Sequence, residues 1–193
     1  MLIGFIGAPN SGKTTIAARV FAELKQAGQS NVEFVVEEAR RHIALKKAQG
    51  WKGSLDDEDQ SHLFELQLHS EKLMVDAVGP YGIVVSDSCA INSFWYMSPK
   101  ARDSFMSDNA KYFQWLRENA LLFWCSAVGI MPQTDTLRLH NASQSKEIDA
   151  IISDSLINRS LKTLLPLHPK LLTGPIDLKV SKVIEQIYER LTR

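Results

Sequence analysis

Residues 7–14 read Gly7-Ala8-Pro9-Asn10-Ser11-Gly12-Lys13-Thr14, which is the pattern G-x-x-x-x-G-K-[ST]. The apolar run 2–6 precedes them, and a helical pattern over 13–27, ending near Gly28, follows. A glycine turn that leaves a strand and opens directly into a helix needs the strand's carboxyl end to face a helix amino terminus, the geometry of an open parallel sheet. Four fixed residue types would coincide by accident in roughly one chain in a hundred of this size, and less often still at a strand-to-helix junction. The chemistry follows from the geometry. Glycines let the backbone wrap a phosphate with its N–H groups pointing inward, and the positive end of the helix adds to the field on the anion. The expected nucleotide-binding set is Gly7, Ala8, Pro9, Asn10, Ser11, Gly12, Lys13, Thr14 and Thr15. Lys13 would reach the β- and γ-phosphates, and the Thr14 hydroxyl would be a Mg²⁺ ligand. Lys13 is expected to stand exposed at the loop, so that its removal leaves the fold intact.

The rest of the chain alternates apolar runs with helical patterns. This predicts strands at 2–6, 32–36, 82–87, 120–128 and 170–174. Helices are expected at 13–27, 37–49, from a Ser54 cap to 78, at 100–119 with a break near Ser107, at 146–164 and at 177–191. Runs such as "IVV" and "LLF" suit strands buried on both faces. The expectation is a three-layer α/β P-loop fold, a parallel five-stranded sheet with helices on both faces. At 193 residues one domain spanning 1–193 is the natural size, with a lid over about 129–146. Equal counts of 22 basic and 22 acidic side chains argue against adhesion to nucleic acid by charge alone. Cys89 and Cys125 form no C-x-x-C pair, which suits a reducing, cytoplasmic compartment. No run approaches the roughly 20 apolar residues of a membrane span. The short apolar start, turning at once into a glycine loop, does not read as a signal peptide.

The third strand, "GIVVSD", ends in Asp87. An acid at that strand end lies beside the phosphate loop and would hold Mg²⁺ with Thr14; the alternative is a solvated turn residue or a cap. No N-K-x-D appears, and "DSCA" is not D-x-x-G, so a GTPase switch is disfavoured. The chain is also short for an AAA+ motor. Small-molecule kinases remain, and they need a group that takes or orients the acceptor hydroxyl. Glu37, at the end of the second strand, is the candidate and Glu38 its rival; both acids would also suit the first turn of the next helix. Arg138, in the polar segment "TDTLRLHNASQSKE", would meet the transferring phosphate when a lid closes, with Lys146 the weaker choice.

"EEARRH" resembles the E-[YA]-[AG]-R motif of the nicotinamide riboside kinase-like group of P-loop kinases, an AAA-domain group with several bacteriophage members. The resemblance sets Glu37 on the motif's acid and Arg40 on its arginine. "SDSC" resembles the group's S-D-T, and "DTLRLH" its D-G-x-R lid segment. Two positions depart: Glu38 replaces an aromatic or small residue, and Thr136 stands at the lid glycine.

Trp95 and Tyr96, in "SFWYMSPKAR", would stack on a flat acceptor or else cover the core. Trp51 would line a pocket or shield a loop. His62 and His69 share a helical face without a third ligand, so no metal site is expected. Arg40 and Arg41 would bind phosphate or form an exposed charged pair. "LKKAQGWKG" is a small basic patch.

The combined expectation is an ATP- and Mg²⁺-dependent kinase acting on a hydroxyl of a nucleoside- or nucleotide-like acceptor. Lys13, Glu37, Asp87 and Arg138 would be catalytic, Thr14 and Asp87 would hold metal, and Glu37, Arg40, Trp95 and Tyr96 would contact the acceptor. The runner-up acceptor is a hydroxyl on nucleic acid, such as a hydroxymethylated base in DNA. The rival of another class is a nucleotide-dependent ATPase switch with a protein partner.

Overall fold

The computed structural model describes residues 1–127, 139–157 and 167–192. Five strands, β1 (Leu2–Ile6), β2 (Val32–Val35), β3 (Ile83–Ser86), β4 (Ala120–Cys125) and β5 (Lys170–Leu172), form one sheet in the order β2-β3-β1-β4-β5. Every pairing is parallel, with Ile3 opposite Val85 and Leu121 in the central register. β1 and β3 are buried along their whole length, because helices cover both faces.

Side chains alternate across the sheet and divide the core in two. Leu2 and Ile6 of β1 join the side packed by α3 (Asp57–Val78), α4 (Asn92–Tyr96), α5 (Pro99–Asp108), α6 (Ala110–Asn119) and α7 (Ala142–Ile157). Ile3 and Phe5 join the other side, under α1 (Lys13–Gln26) and α8 (Ile176–Leu191). α1 buries Ile16, Ala17, Val20 and Leu24 at helical spacing, and α8 buries Val180, Val183 and Ile187. Arg19 of α1 also pairs with Asp177 of α8. α2 (Glu38–Ala48) sits at the carboxyl end of β2 and leans on α3.

Several boundaries differ from expectation for local chemical reasons. α3 is capped by Asp56, not Ser54: the Asp59 N–H donates to Asp56 Oδ1 at 2.9 Å, and the Asp56 N–H donates back to Asp59 Oδ2 at 3.4 Å. The break expected near Ser107 falls at Asn109, whose amide donates to Phe105 O. α7 begins at Ala142 and not near Lys146, since Asn141 and Gln144 cap each other's backbone N–H groups at 2.9 and 3.0 Å. The first turn of α7 therefore takes residues assigned to the lid, and Lys146 is an exposed helical side chain. The rest of the expected lid, including Thr136 and the candidate Arg138, lies outside the described residues. α4 has no counterpart in the sequence expectation. Among the described residues both cysteines are free and buried, and no helix is long and apolar enough to cross a membrane.

Candidate active site

The loop after β1 is shaped by three residues at positive φ: Gly7 (151°), Asn10 (64°) and Gly12 (85°). A Cβ at Gly7 would stand 2.4 Å from the Cys125 carbonyl oxygen at the end of β4, so any side chain there would push the loop off the sheet. Gly12 caps α1 without a side chain, and the first turn of α1 holds no acid. The helix amino terminus is thus left open to an anion. Lys13 departs from expectation: it is buried, because its ammonium folds back over the loop and donates to Gly7 O at 2.8 Å and Ala8 O at 3.0 Å.

A cavity of about 160 Å3 opens above this loop. Pro9, Asn10, Ser11, Gly12, Lys13, Thr14 and Thr15 line it, and so do Glu37, Arg40 and Tyr96. Gly7 and Ala8 lie beneath the loop, fully buried, and do not reach the wall. Their contribution is shape, because the Gly7 N–H is already given to Asn92 Oδ1 at 3.1 Å.

Glu37 precedes α2 but its carboxylate caps nothing, which leaves it on the cavity wall with the Arg40 guanidinium 3.6 Å away. Glu38 is turned elsewhere. Its N–H donates to Gln67 Oε1 at 2.9 Å and its carboxylate accepts from Ser70 Oγ at 3.2 Å, both on α3. Tyr96 lines the cavity with its ring 5.4 Å from that of His140, whereas Trp95, 2% exposed, belongs to the core. Stacking on an acceptor is therefore open to Tyr96 and closed to Trp95: α4 presents one of these neighbours to the cavity and the other to Phe94 and the sheet. Burial and the Glu37 charge push the Tyr96 phenol well up, so it stays protonated.

Asp87 follows β3 and is 4% exposed. Burial, then the charge of Glu37, pushes its carboxyl up to about 6, against the Thr14 hydroxyl that hydrogen-bonds it and the nearby Lys13 and Arg40 charges. Among the described residues its Oδ1 has no hydrogen-bond partner, and neither have the buried Asn10 Oδ1 and Ser11 Oγ of the loop. A buried carboxylate oxygen left unpaired is costly unless something cationic meets it. Asp87 with Thr14 thus fits the hard-oxygen donor set Mg²⁺ takes when phosphates supply its other ligands. Among the described residues no three His, Cys, Asp or Glu side chains gather as a self-sufficient metal site, and His62 and His69 are both exposed.

Residues the sequence reading missed hold this arrangement in place. Asn92 Nδ2 donates to Phe5 O at 3.1 Å and Ser88 Oγ at 2.7 Å, so one side chain ties the phosphate loop, β1 and the turn after Asp87 together. Beneath that turn lies Glu71, fully buried on α3. It accepts from Ser86 Oγ (2.7 Å), the Ala90 N–H (3.0 Å) and Cys89 Sγ (3.9 Å). Burial pushes this carboxyl up to about 7, against those hydrogen bonds. Gln67 joins it to α2, donating to Ser86 Oγ at 3.2 Å. A signal existed in the sequence: Gln60, Gln67 and Glu71 fall on the stripe of α3 that buries Leu63 and Phe64, and polar residues on a buried stripe call for a reason. Away from the site, Trp51 lies under the Lys46 ammonium at 5.2 Å while Lys46 also pairs with Asp59, so the basic patch is partly neutralised.

No curated protein matches the sequence. Among solved structures, the NadR protein in complex with NAD and AMP-PNP aligns with a TM-score of 0.65 at 18% identity, over 100% of this chain and 49% of its own. The NadR protein in complex with NR aligns with a TM-score of 0.63 at 16% identity, over 100% of this chain and 50% of its own. This chain thus spans about half the length of those proteins. Deoxyadenosine kinase from M. mycoides with bound dATP aligns over the whole of both chains, with a TM-score of 0.54 at 14% identity. These likenesses show the P-loop α/β fold. A family model described as an AAA domain matches residues 2–165, and with that match covering most of the chain and its phosphate loop, the protein belongs to this AAA-domain family.

Proposed function

We propose that this protein is a kinase that moves the γ-phosphoryl group of ATP to a hydroxyl of a nucleoside- or nucleotide-like acceptor. The observation that carries this reading is a single cavity joining the phosphate loop, Pro9 to Thr15, to Glu37, Arg40 and Tyr96. A donor anion and an acceptor alcohol can meet in it without crossing solvent. The neighbouring structures hold NAD, NR, an ATP analogue and dATP, which supports a nucleoside-like acceptor.

In this mechanism the open amino terminus of α1 and the loop amides bind the donor phosphates. Lys13 exchanges its loop carbonyls for phosphate oxygens. Glu37 takes or orients the proton of the acceptor hydroxyl, with Arg40 holding its carboxylate in place, and Tyr96 supplies a flat wall. Asp87 and Thr14 would hold Mg²⁺, which when bound neutralises charge on the phosphates. Arg138 keeps its proposed role at the transferring group on the sequence pattern alone.

Labelled ATP offered with nucleosides, nucleotides and hydroxymethylated DNA tests the reading. Label should pass to a nucleoside-like small molecule, with little hydrolysis in its absence. Transfer only to DNA would move the acceptor to nucleic acid, and strong hydrolysis independent of any acceptor would favour the switch.

A further inference from the structure

Two glutamines of α3 line the cavity, Gln60 and Gln67, and each is 5% exposed. Seven residues apart, they share one helix face about 10 Å apart along the axis. Gln67 is fully committed: its carbonyl accepts the Glu38 N–H and its amide donates to Ser86. Gln60 is different. Among the described residues no side chain or backbone group hydrogen-bonds its carboxamide, and none of its atoms is sealed from the cavity. Its carboxamide opens onto the cavity and is held by no group among the described residues, so it is free to pair with a ligand there, and a leucine of similar volume would pack on the same wall. The cavity it lines is also walled by the apolar or aromatic side chains of Ile43, Leu55, Leu63 and Tyr96. Burial pushes the His140 imidazole beyond Tyr96 toward its neutral form.

Resting on the kinase reading above, we propose that Gln60 determines acceptor specificity. Its carboxamide offers one donor and one acceptor side by side, so it pairs with the complementary edge of a planar ring, either an amide or a ring nitrogen beside an amino group. The apolar wall and Tyr96 sandwich the ring while Gln60 reads its rim. The hydroxyl to be phosphorylated then lies back toward Glu37, on the phosphate side of the cavity. The ligand class is a nucleoside whose base carries such an edge; a sugar or a simple alcohol does not satisfy Gln60.

The test compares pairs of nucleosides that differ only in that edge, adenosine with purine riboside and nicotinamide riboside with pyridine riboside. It uses wild type and Q60L, measuring calorimetric binding without ATP and transfer with it. In at least one pair, wild type should favour the edge-bearing member by about 100-fold in kcat/KM, and Q60L should reduce that preference to a few-fold. Q60L should melt no lower than wild type. No preference in wild type for either pair, or an undiminished preference in Q60L, overturns the proposal. If Q60L does not fold, Q60N, which withdraws the same amide by one methylene, must weaken the preference at least tenfold or the proposal fails. If no acceptor is phosphorylated yet binding keeps its Gln60-dependent preference, the kinase reading falls and Gln60 keeps its role.

Discussion

Asn92 Oδ1 accepts the N–H of Gly7 at 3.1 Å, across 85 residues of sequence. This bond, with those from the same side chain to Phe5 O and Ser88 Oγ, fixes the distance between the phosphate loop and the turn that carries Asp87. Asn92→Ala strands the buried Gly7 N–H, at about 1–3 kcal/mol for the unsatisfied group, while Phe5 O keeps the Cys89 N–H at 3.0 Å. We expect a lower urea midpoint and at least a tenfold weaker affinity for Mg²⁺-ATP by calorimetry. A variant that is destabilised yet binds nucleotide normally would make Asn92 a packing residue only.

Lys13→Ala should lower kcat by roughly 10²–10³, as when a preorganised donor is lost from a developing anion. Because Lys13 is buried against Gly7 O and Ala8 O, a small loss of stability should accompany it. Circular dichroism and a melting curve separate the two effects. Turnover like that of wild type would remove Lys13 from the mechanism.

Neighbouring acids should part company on substitution. Glu37→Gln should cut kcat by about 10²–10⁴ with unchanged ATP affinity, the range for loss of a general base. Glu38→Gln keeps its backbone bond to Gln67 and weakens only the Ser70 contact, so it should shift stability slightly and transfer little. Steady-state kinetics on the pair decides, and the reverse pattern would reassign the acid to Glu38.

Stability without ligands should fall as pH rises through the acid range toward neutrality. Glu71, pushed up to about 7, and Asp87, pushed up to about 6, each hold a proton in the folded chain that the unfolded chain has already released. The folded state binds more protons, so unfolding free energy decreases from about pH 4 to pH 7 and levels off above. Asp57 and Asp59, whose carboxyls are held low by their hydrogen bonds to Ser98 and to Lys46 and His42, act oppositely at the acid end. Comparing urea unfolding of wild type and Glu71→Gln at pH 5, 6, 7 and 8 isolates the contribution of this one carboxyl. The variant's slope should be shallower, with a difference reaching up to about 3 kcal/mol by pH 8. Parallel curves would show that Glu71 is ionised throughout.

The shape of the loop was legible because it is local. The positive φ of Gly12 and the start of α1 at Lys13 are matters of backbone conformation, and seven or eight adjacent residues specify them. The order of strands and helices was legible for a similar reason, since each run's period and apolar content state which faces must be buried. The caps show the limit of that reasoning. Ser54 and Asp56 are both good cap residues, and the reciprocal bond with Asp59 chose the second.

Adjacent residues with the same chemistry mark what only the tertiary structure decided. Nothing in "VVEE" distinguishes Glu37 from Glu38; Gln67 does, by holding Glu38 against α3 and leaving Glu37 on the cavity wall. Trp95 and Tyr96 differ by one step along α4, and packing sent one ring into the core and the other to the cavity. Asn92 and Glu71 acquire their roles from contacts 85 and 19 residues away. A sequence determines by itself what depends on neighbours along the chain: the phosphate loop, the strand and helix order, the acid at the end of β3. Which side chain faces the cavity, and which buried group holds the loop in place, depends on neighbours in space, and those exist only once the sheet has closed and the helices have docked on it.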